Sequence, residues 1–475
     1  MKPSDAEACY RAVKSRDARF AGSFFMGVRT TGIYCRPGCP ARLPKRQNVL
    51  FYPSAAAAEG EGFRACLRCR PDAVPGAAVL LGTSATISRA LRLLEETSDA
   101  KGLADRLGVG ERHLRRLFAQ HLGASPAAVL RTRRLHFARQ LLEGSSLPMT
   151  EVALSAGFTS LRRFNEAVRE SFGHPPTELR RARGAASRLP RDSLELHVPY
   201  RAPLDFGGLL GFLGARAIPS VEQVSEGSWR RAVRVGSLSG IIEVREGPGH
   251  LLLRVPAQLS RAAFLLVARV QRLFDLRADP APIVAHLERD PVLRPLLRPG
   301  MRVPGAWDPF EMAVRAILGQ QISVERARII AGAIALEHGE PLFEPAQGLT
   351  HLFPTAARLA EVELRGMPAA RSRAIRLLAQ AVRDGKLVLD GARELESAIA
   401  QLTALPGIGR WTAEVIALRA LGEPDAFPAG DLGLRKSLGL EERELLARAE
   451  AWRPWRGYAA LALWMHQAGG RDERG

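Results

Sequence analysis

No cysteine follows Cys69: Cys9, Cys35, Cys39, Cys66 and Cys69 are the only five in 475 residues. A cysteine-bound iron–sulfur cluster is therefore excluded from the rest of the chain. No run approaches the ~18 apolar residues of a membrane span. The opening Met1-Lys2-Pro3-Ser4-Asp5 carries no signal-peptide core, so the expected compartment is the cytoplasm, with no membrane partner. Acidic residues are also in short supply: 49 Asp and Glu face 68 Lys and Arg, for a net charge of +19 and a pI near 10.8. That surplus points to a polyanionic partner without separating DNA from RNA or a membrane surface. Hydrophobic content of 46% and charged content of 25% describe a folded chain. Its length exceeds one hydrophobic core, and two to four domains are expected.

The cysteines that are present form a pattern. Cys35-x3-Cys39 and Cys66-x2-Cys69 are two close pairs. In a reducing compartment, such pairs brought together by a loop make a tetrahedral four-thiolate zinc site. The metal then substitutes for a core that ~70 residues can barely supply. Cys9 falls outside the pattern and reads as a small buried apolar residue. On spacing alone, a zinc ribbon that only holds the fold is sufficient. The flanking residues go further. Phe25-Met26-Gly27-Val28-Arg29-Thr30-Thr31-Gly32-Ile33-Tyr34-Cys35-Arg36-Pro37-Gly38-Cys39, followed by Gly62-Phe63-Arg64-Ala65-Cys66-Leu67-Arg68-Cys69-Arg70-Pro71-Asp72, closely resembles the zinc domain of the Ada family. The resemblance implies repair of methyl phosphotriesters in DNA, with Cys35 both zinc ligand and methyl acceptor and the other three cysteines holding metal only. It maps DNA contacts onto Thr31, Arg42 and Arg64. Pro40 stands where related sequences can carry a basic residue. Zinc with four thiolates is formally −2, and methylating Cys35 leaves −1, so methylation is expected to raise affinity for DNA phosphates.

After a Pro/Gly/Ala linker, Pro71 to about Gly82, an internal repeat begins. Leu103–Phe118 closes on Gly123-Ala124-Ser125-Pro126, and Val152–Val168 closes on Gly173-His174-Pro175-Pro176. Each copy reads as a short apolar helix, a glycine turn and a second helix with basic residues outward, which is helix-turn-helix grammar. The amphipathic segment Ala127–Leu142 joins them. This doubled arrangement resembles the AraC-type DNA-binding domain, whose two recognition helices enter successive major grooves. Arg112, His113, Arg115 and Arg116 in the first copy are candidate base or phosphate readers, with Ser160, Arg162, Arg163 and Asn165 in the second. Beside an Ada-like sensor, such a domain implies a methylation-triggered transcription activator, with RNA polymerase as a partner.

Gly184 to Asp192 reads as a second linker. Strand patterns follow at Leu194–Val198, Ala232–Val235, Gly240–Arg245 and Leu251–Val255, interrupted by an apolar helix at Leu209–Ala217. An antiparallel sheet with helices on one side is the economical reading. From Pro309 onward the pattern is helical. There, Leu405-Pro406-Gly407-Ile408-Gly409 lies between two apolar-periodic segments as a tight turn joining two helices. Its glycines let main-chain N–H groups at the start of the second helix approach a phosphate. Some 20 residues on comes Asp425-Ala426-Phe427-Pro428-Ala429-Gly430-Asp431. Hairpin and aspartate together resemble the helix-hairpin-helix DNA repair glycosylases. Leu210–Arg216, Ala313–Ser323 and Ala451–Trp464 extend the resemblance to the AlkA family from about Leu194 to the C-terminus.

The chemistry that resemblance implies can be placed on residues. A damaged base leaves the helix, so the enzyme needs a wedge for the gap and a flat apolar pocket. Gln321 takes the wedge position, where the family has leucine. Trp411, Trp464 and Phe212 line the pocket, their π faces suited to cationic alkylated purines such as 3-methyladenine and 7-methylguanine. Val415 stands where the family has a pocket tyrosine. Asp431 is the carboxylate that stabilises the oxocarbenium-like sugar and orients water; Asp425 reads as structural. Gly407 and Gly409 are DNA-binding positions, and the carbonyls of Thr403, Leu405 and Gly407 are donors for a monovalent cation. Trp411 occupies the position of the lysine that bifunctional relatives use for strand cleavage, so a monofunctional enzyme is expected. With no cysteine after Cys69, the Pro-Cys-His-Arg motif of O6-methylguanine methyltransferases is missing, and with it that activity.

The expected protein is multidomain and mainly α with α+β parts: a zinc methyl-acceptor domain at 1–76, an AraC-type domain at 84–183, an antiparallel sheet domain at 193–300 and an all-helical glycosylase domain at 301–475. A monomeric, nucleoid-associated bacterial protein acting on methylated and promoter double-stranded DNA follows from the resemblances. The rival is a transcription regulator with structural zinc, its glycosylase fold inactive and serving as a DNA clamp.

Overall fold

The computed structural model describes residues 5–17, 20–71, 85–96, 99–181 and 193–472; all but Pro71 of the first linker and the whole of the second lie outside them. The chain divides into two compact units. The first holds residues 1–201, 247–268 and 276–278; the second holds 202–246, 269–275 and 279–475. The stretch expected as one sheet domain, 193–300, contributes to both.

The first unit begins with helix Ala6–Lys14, capped by Asp5, whose carboxylate accepts from the Ala8 amide at 2.9 Å. Cys9, Ala12 and Val13 form its buried stripe, and Cys9 is fully enclosed. A small sheet follows, in the spatial order Val49–Tyr52, Phe25–Val28, Ile33–Cys35, Arg64–Ala65, with only the last pairing parallel. Gly27 sits at its centre because the rings of Tyr52 and Phe63 fill the space a Cβ would need.

The helical part repeats as expected. Helix Leu103–Arg106 leads through Gly108 to helix Glu111–Leu122, and helix Met149–Ser155 leads through Gly157 to helix Leu161–Phe172. Gly108 and Gly157 have φ of +67° and +80°, the left-handed turns the glycine spacing predicted. The long helix Pro126–Gly144 connects the copies, with Ser125 capping its start on the Ala128 amide. The unit also contains an antiparallel ladder between Ser193–Pro199 and His250–Pro256. Leu194, Leu196 and Val198 face Val255, Leu253 and Leu251 there, and all six are buried. The period of two places them on one face.

In the second unit, strands Glu222–Ser225, Ser228–Val235 and Leu238–Gly247 form antiparallel ladders. The first of these was absent from the sequence reading. Helix Phe206–Gly214 precedes them, and helices Pro309–Leu318, Val324–His338, Ala369–Arg383, Leu395–Thr403, Arg410–Arg419, Leu432–Leu438 and Arg456–Asp472 carry the rest. One hairpin, Pro341–Ala346 with Leu349–His351, interrupts the region expected to be all helical. Gln347 and Gly348, at φ of +50° and +83°, make its two-residue turn, and Leu342 and Leu352 anchor it on Ala232.

Buried in this unit is a four-charge network. Glu222 lies 3.2 Å from Arg231 and 3.4 Å from Arg315; Glu311 bonds Arg231 and lies 3.3 Å from Arg315. The Trp229 indole donates to Glu222 at 3.1 Å. Opening one such buried pair costs about 3–5 kcal/mol.

Candidate functional site

Four thiols converge at one end of the small sheet. The Sγ atoms of Cys35, Cys39, Cys66 and Cys69 all lie within 4.8 Å of one another. A tetrahedral centre with Zn–S bonds of ~2.3 Å sets sulfurs ~3.8 Å apart, so the donor set suits zinc in number, type and spacing. Packed thiols also share protons unequally. The contact with Cys35 does most to bring Cys39 down to about 7, while hydrogen bonding to Cys39 pushes Cys35 up. A divalent cation that displaces those protons removes the conflict. Cys35 is 5% exposed, no more open than Cys39 or Cys66. Thr31 and Arg42 are exposed. The exposed Arg64 has its guanidinium against Gly173 in the helical repeat.

In the repeat, Arg112, His113, Arg115 and Arg116 stand exposed on helix Glu111–Leu122. Arg115 pairs with Glu111 at 2.8 Å, and Arg116 donates to His113 Nδ1 at 3.0 Å. Arg162 and Arg163 are exposed and Asn165 half-buried on helix Leu161–Phe172. Ser160 is that helix's N-cap residue without making a side-chain capping bond. Both second helices thus present a basic outer face while Leu114, Phe118, Phe164 and Val168 are buried beneath.

The second constellation forms where the hairpin meets the aspartate loop. Gly407, at φ +86°, lies so close to Ala374 that a Cβ would stand 2.6 Å from the alanine's own. Gly409 is the N-cap of helix Arg410–Arg419 and has open space around it, leaving the first-turn amides unscreened by a side chain. Asp431 is the N-cap of helix Leu432–Leu438, its Oδ1 accepting from the Leu434 amide at 3.1 Å. It is also much more than a cap. The Trp411 indole donates to Oδ2 at 3.0 Å and the Trp464 indole to Oδ1 at 3.1 Å. Both tryptophans therefore hold the carboxylate through their indole N–H groups.

Phe212 is half-buried and carries arginines against its ring. Arg216 lies over its ring with Cζ 3.7 Å from the centroid, and Arg419 lies at 4.9 Å. Two guanidinium groups thus lie against this ring. Burial pushes Arg216 down to about 10, Arg315 adds to this, and the negative charge of Asp431 works the other way. Asp425 is occupied in ion pairs with Arg453 and with Arg456, the latter at 2.9 Å. Val415 is half-buried.

Gln321 is exposed at the turn between helices Pro309–Leu318 and Val324–His338, with φ +57°. A non-glycine residue in that region costs roughly 1–2 kcal/mol and is a pointer to function. Three supporting residues escaped the sequence reading. Gln320 donates to the Gly407 carbonyl at 2.9 Å and to Thr412 Oγ1 at 3.0 Å, tying the Gln321 turn to the hairpin. Arg371 holds the Gln320 carbonyl in turn. Glu414 accepts from the Phe427 amide at 2.9 Å and so fixes the loop that leads to Asp431. Of the three hairpin carbonyls expected to hold a cation, that of Leu405 also accepts from the Ile408 amide and that of Gly407 from Gln320.

Comparison with known proteins follows this division. The metal binding domain of Ada matches residues 8–72, a helix-turn-helix domain matches 103–182, and the AlkA N-terminal domain matches 195–308. The chain is 45% identical to the probable bifunctional transcriptional activator/DNA repair enzyme AlkA of Mycobacterium tuberculosis, over 97% of this chain and 96% of that one. It is 36% identical to DNA-3-methyladenine glycosylase 2 of Escherichia coli, over 58% of this chain and 98% of the relative. A 3-methyladenine DNA glycosylase from Archaeoglobus fulgidus shares the fold, with TM-score 0.51 and 22% identity over 57% of this chain and 97% of that structure. The first of these matches runs through both the four-cysteine module and the Asp431 loop. The chain belongs to the family of bifunctional transcriptional activator/DNA repair AlkA proteins.

Proposed function

We propose that this protein answers DNA alkylation in two ways: it excises alkylated purines, and it senses methyl damage and activates transcription. The observation that carries the first is the grip on Asp431 by two indoles and one main-chain amide, next to a hairpin with open amides. Asp431 is the catalytic carboxylate. Donors on both oxygens fix its orientation, so its charge is aligned before positive charge develops on the sugar. The C1′–N bond breaks and its electron pair leaves with the base; a water molecule directed by Asp431 then forms the bond to C1′ and passes its proton to that carboxylate, which leaves an abasic sugar. The hairpin N–H groups at Gly409 and after receive a phosphate, Gly407 lets the turn lie close, and Gln321 fills the vacated stack. Trp411 and Trp464 flank the extruded base, of 3-methyladenine or 7-methylguanine type. With Trp411 at the position of a lysine nucleophile, the enzyme leaves the strand intact. A monovalent cation at Thr403, Leu405 and Gly407 would brace the same turn.

For the sensor, zinc held by Cys35, Cys39, Cys66 and Cys69 would keep the sulfurs as thiolates at neutral pH. The Cys35 sulfur then takes the methyl group of a DNA phosphotriester, the methyl carbon–oxygen bond breaks, and a phosphodiester anion is released. Thr31, Arg42 and Arg64 contact the backbone. The helical repeat reads promoter DNA through Arg112, His113, Arg115, Arg116, Ser160, Arg162, Arg163 and Asn165, and recruits RNA polymerase from there. Loss of one negative charge on methylation strengthens binding.

Free-base release from dimethyl-sulfate-treated duplex DNA tests the enzyme. Release of 3-methyladenine by the parent and its loss in Asp431→Asn is the expected result. No release from the parent, with DNA binding intact, would instead favour a regulator whose second unit is a clamp. Peptide mapping after exposure to the same DNA tests the sensor, and a methyl group found anywhere but Cys35 sinks it.

A further inference from the structure

Glu59 lies on helix Ala55–Gly60 of the zinc module, is not one of the residues assigned a role above, and its side chain is only 11% exposed. Its Oε1 accepts from the Tyr34 hydroxyl at 2.9 Å and from Ser171 Oγ at 3.1 Å; its Oε2 accepts from Thr132 Oγ1 at 2.6 Å. His136 Nε2 stands 3.4 Å from Oε1 and 3.0 Å from the Tyr34 hydroxyl. Thr132 and His136 belong to the connecting helix Pro126–Gly144, and Ser171 to the recognition helix Leu161–Phe172. Burial alone would raise Glu59, yet the His136, Thr132 and Tyr34 hydrogen bonds hold it below the usual carboxylate range. A carboxylate is withdrawn from water only where donors fill its lone pairs, so this is a built anchor rather than a solvated face.

The module touches both copies of the repeat at equivalent points. On the first recognition helix, Ser54 Oγ donates to the carbonyl of Leu122, the last residue, at 2.6 Å. A Cβ on the following Gly123 would lie 3.0 Å from Ala57 and 3.2 Å from Pro53. On the second, the Arg64 guanidinium takes the space a Cβ on Gly173 would need. Gly123 and Gly173 are the left-handed C-caps of the two recognition helices. Arg70 further pairs with Glu143 at the end of the connecting helix. On strand Ile33–Cys35, Tyr34 faces this anchor, and its neighbour Cys35 faces the other thiols by strand alternation.

We propose that the zinc module is the spacer that fixes the separation and mutual angle of the two recognition helices, with Glu59 as its anchor. A two-groove reader selects half-sites by the distance between its helices, so whatever sets that distance sets which promoters are read. The role rests on the reading of the repeat as a DNA-binding pair and is independent of methyl transfer.

Hydrogen exchange on the zinc-loaded full chain, with Glu59→Gln beside the parent, tests the coupling without DNA. Amides of Ala119–Gly123 and of Arg169–Gly173 are expected to exchange about tenfold faster in the variant at unchanged zinc content. Unchanged exchange at either helix end overturns the spacer. Should Glu59→Gln fail to fold, Ser54→Ala and Ser171→Ala each remove one bond to one helix. Each is expected to loosen that helix end alone, and no change in both sinks the idea. Selection from a random-sequence duplex pool reads the consequence. The parent is expected to enrich two half-sites at one spacing, and Glu59→Gln a range of spacings. The same single spacing from both rejects the proposal, whereas a parent that enriches nothing rejects the DNA-binding reading beneath it.

Discussion

Cys35 is ringed by three residues of its own kind in a sheet of short strands, whereas Asp431 takes its hydrogen bonds from two indoles and a main-chain amide on well-packed helices. The first cluster is the core of its module: Cys35, Cys39, Cys66 and Cys69 belong to one buried cluster with Cys9, Phe24 and Met26. The second sits at the edge of a core built elsewhere, from residues such as Phe427, Trp452 and Leu463. On the proposed function, folding and chemistry are therefore inseparable at the cysteines and separable at the aspartate. Mutations should respect that division.

Metal removal should give the largest effect. Structural zinc in small modules contributes about 10–16 kcal/mol at pH 7, so chelation is expected to unfold residues 20–71. Loss of amide protection across Phe25–Val28 and Ile33–Cys35 would register it. Retained protection after chelation would break the comparison, since the cysteine cluster would then hold without metal. Asp431→Asn comes next. Asn caps a helix as well as Asp but leaves one indole N–H without its acceptor, so Tm should fall only modestly, while base release falls by at least about 10²-fold. A fall in Tm matching the fall in rate would show that this site, too, is chiefly structural.

Trp411→Phe and Trp464→Phe keep a ring and delete one donor each. A hydrogen bond to a charged group is worth roughly 1.5–3 kcal/mol, so each change is expected to lower kcat about tenfold or more with KM little altered. A raised KM at constant kcat would reduce the indoles to pocket walls.

Much of this was legible because it is local. The cysteine pairs, the glycine turns of the repeat and the Pro406-Gly407-Ile408-Gly409 tip are short-range patterns, and each fixes a backbone shape within a few residues. The Trp464–Asp431 bond spans 33 residues and the Arg231–Glu311 pair 80, distances at which tertiary packing alone decides partners. The hairpin at Pro341–His351 was missed because Gln347-Gly348 is a weak turn signal between short strands. Phe212 adds a local contact of its own. Arg216 follows it by four residues, just past the C-cap of helix Phe206–Gly214, and lies against the ring.

Asp290 supplies the finest test, because it repeats the hydrogen-bonding grammar of Asp431 away from the proposed chemistry. The Trp452 indole donates to its Oδ2 at 2.8 Å, Arg448 lies 2.9 Å from Oδ1, and the Val292 amide donates to Oδ1 at 2.8 Å. Burial pushes Asp290 up, but the Trp452 and Arg448 bonds outweigh it and leave the carboxyl below its ordinary value. A depressed folded-state value means a stabilising contribution that is present above the unfolded value of about 3.9 and is lost as pH falls through the folded one. Asp290→Asn should therefore lower Tm at pH 7, and the gap from the parent should narrow once the pH drops below about 4. Base release at pH 7, below the Tm of both proteins, should not change. A gap that stayed constant with pH would assign the bond's worth to shape rather than charge. A loss of base release would mean that an indole-held carboxylate acts here through the framework, and the contrast between anchoring and catalytic aspartates would have to be drawn elsewhere.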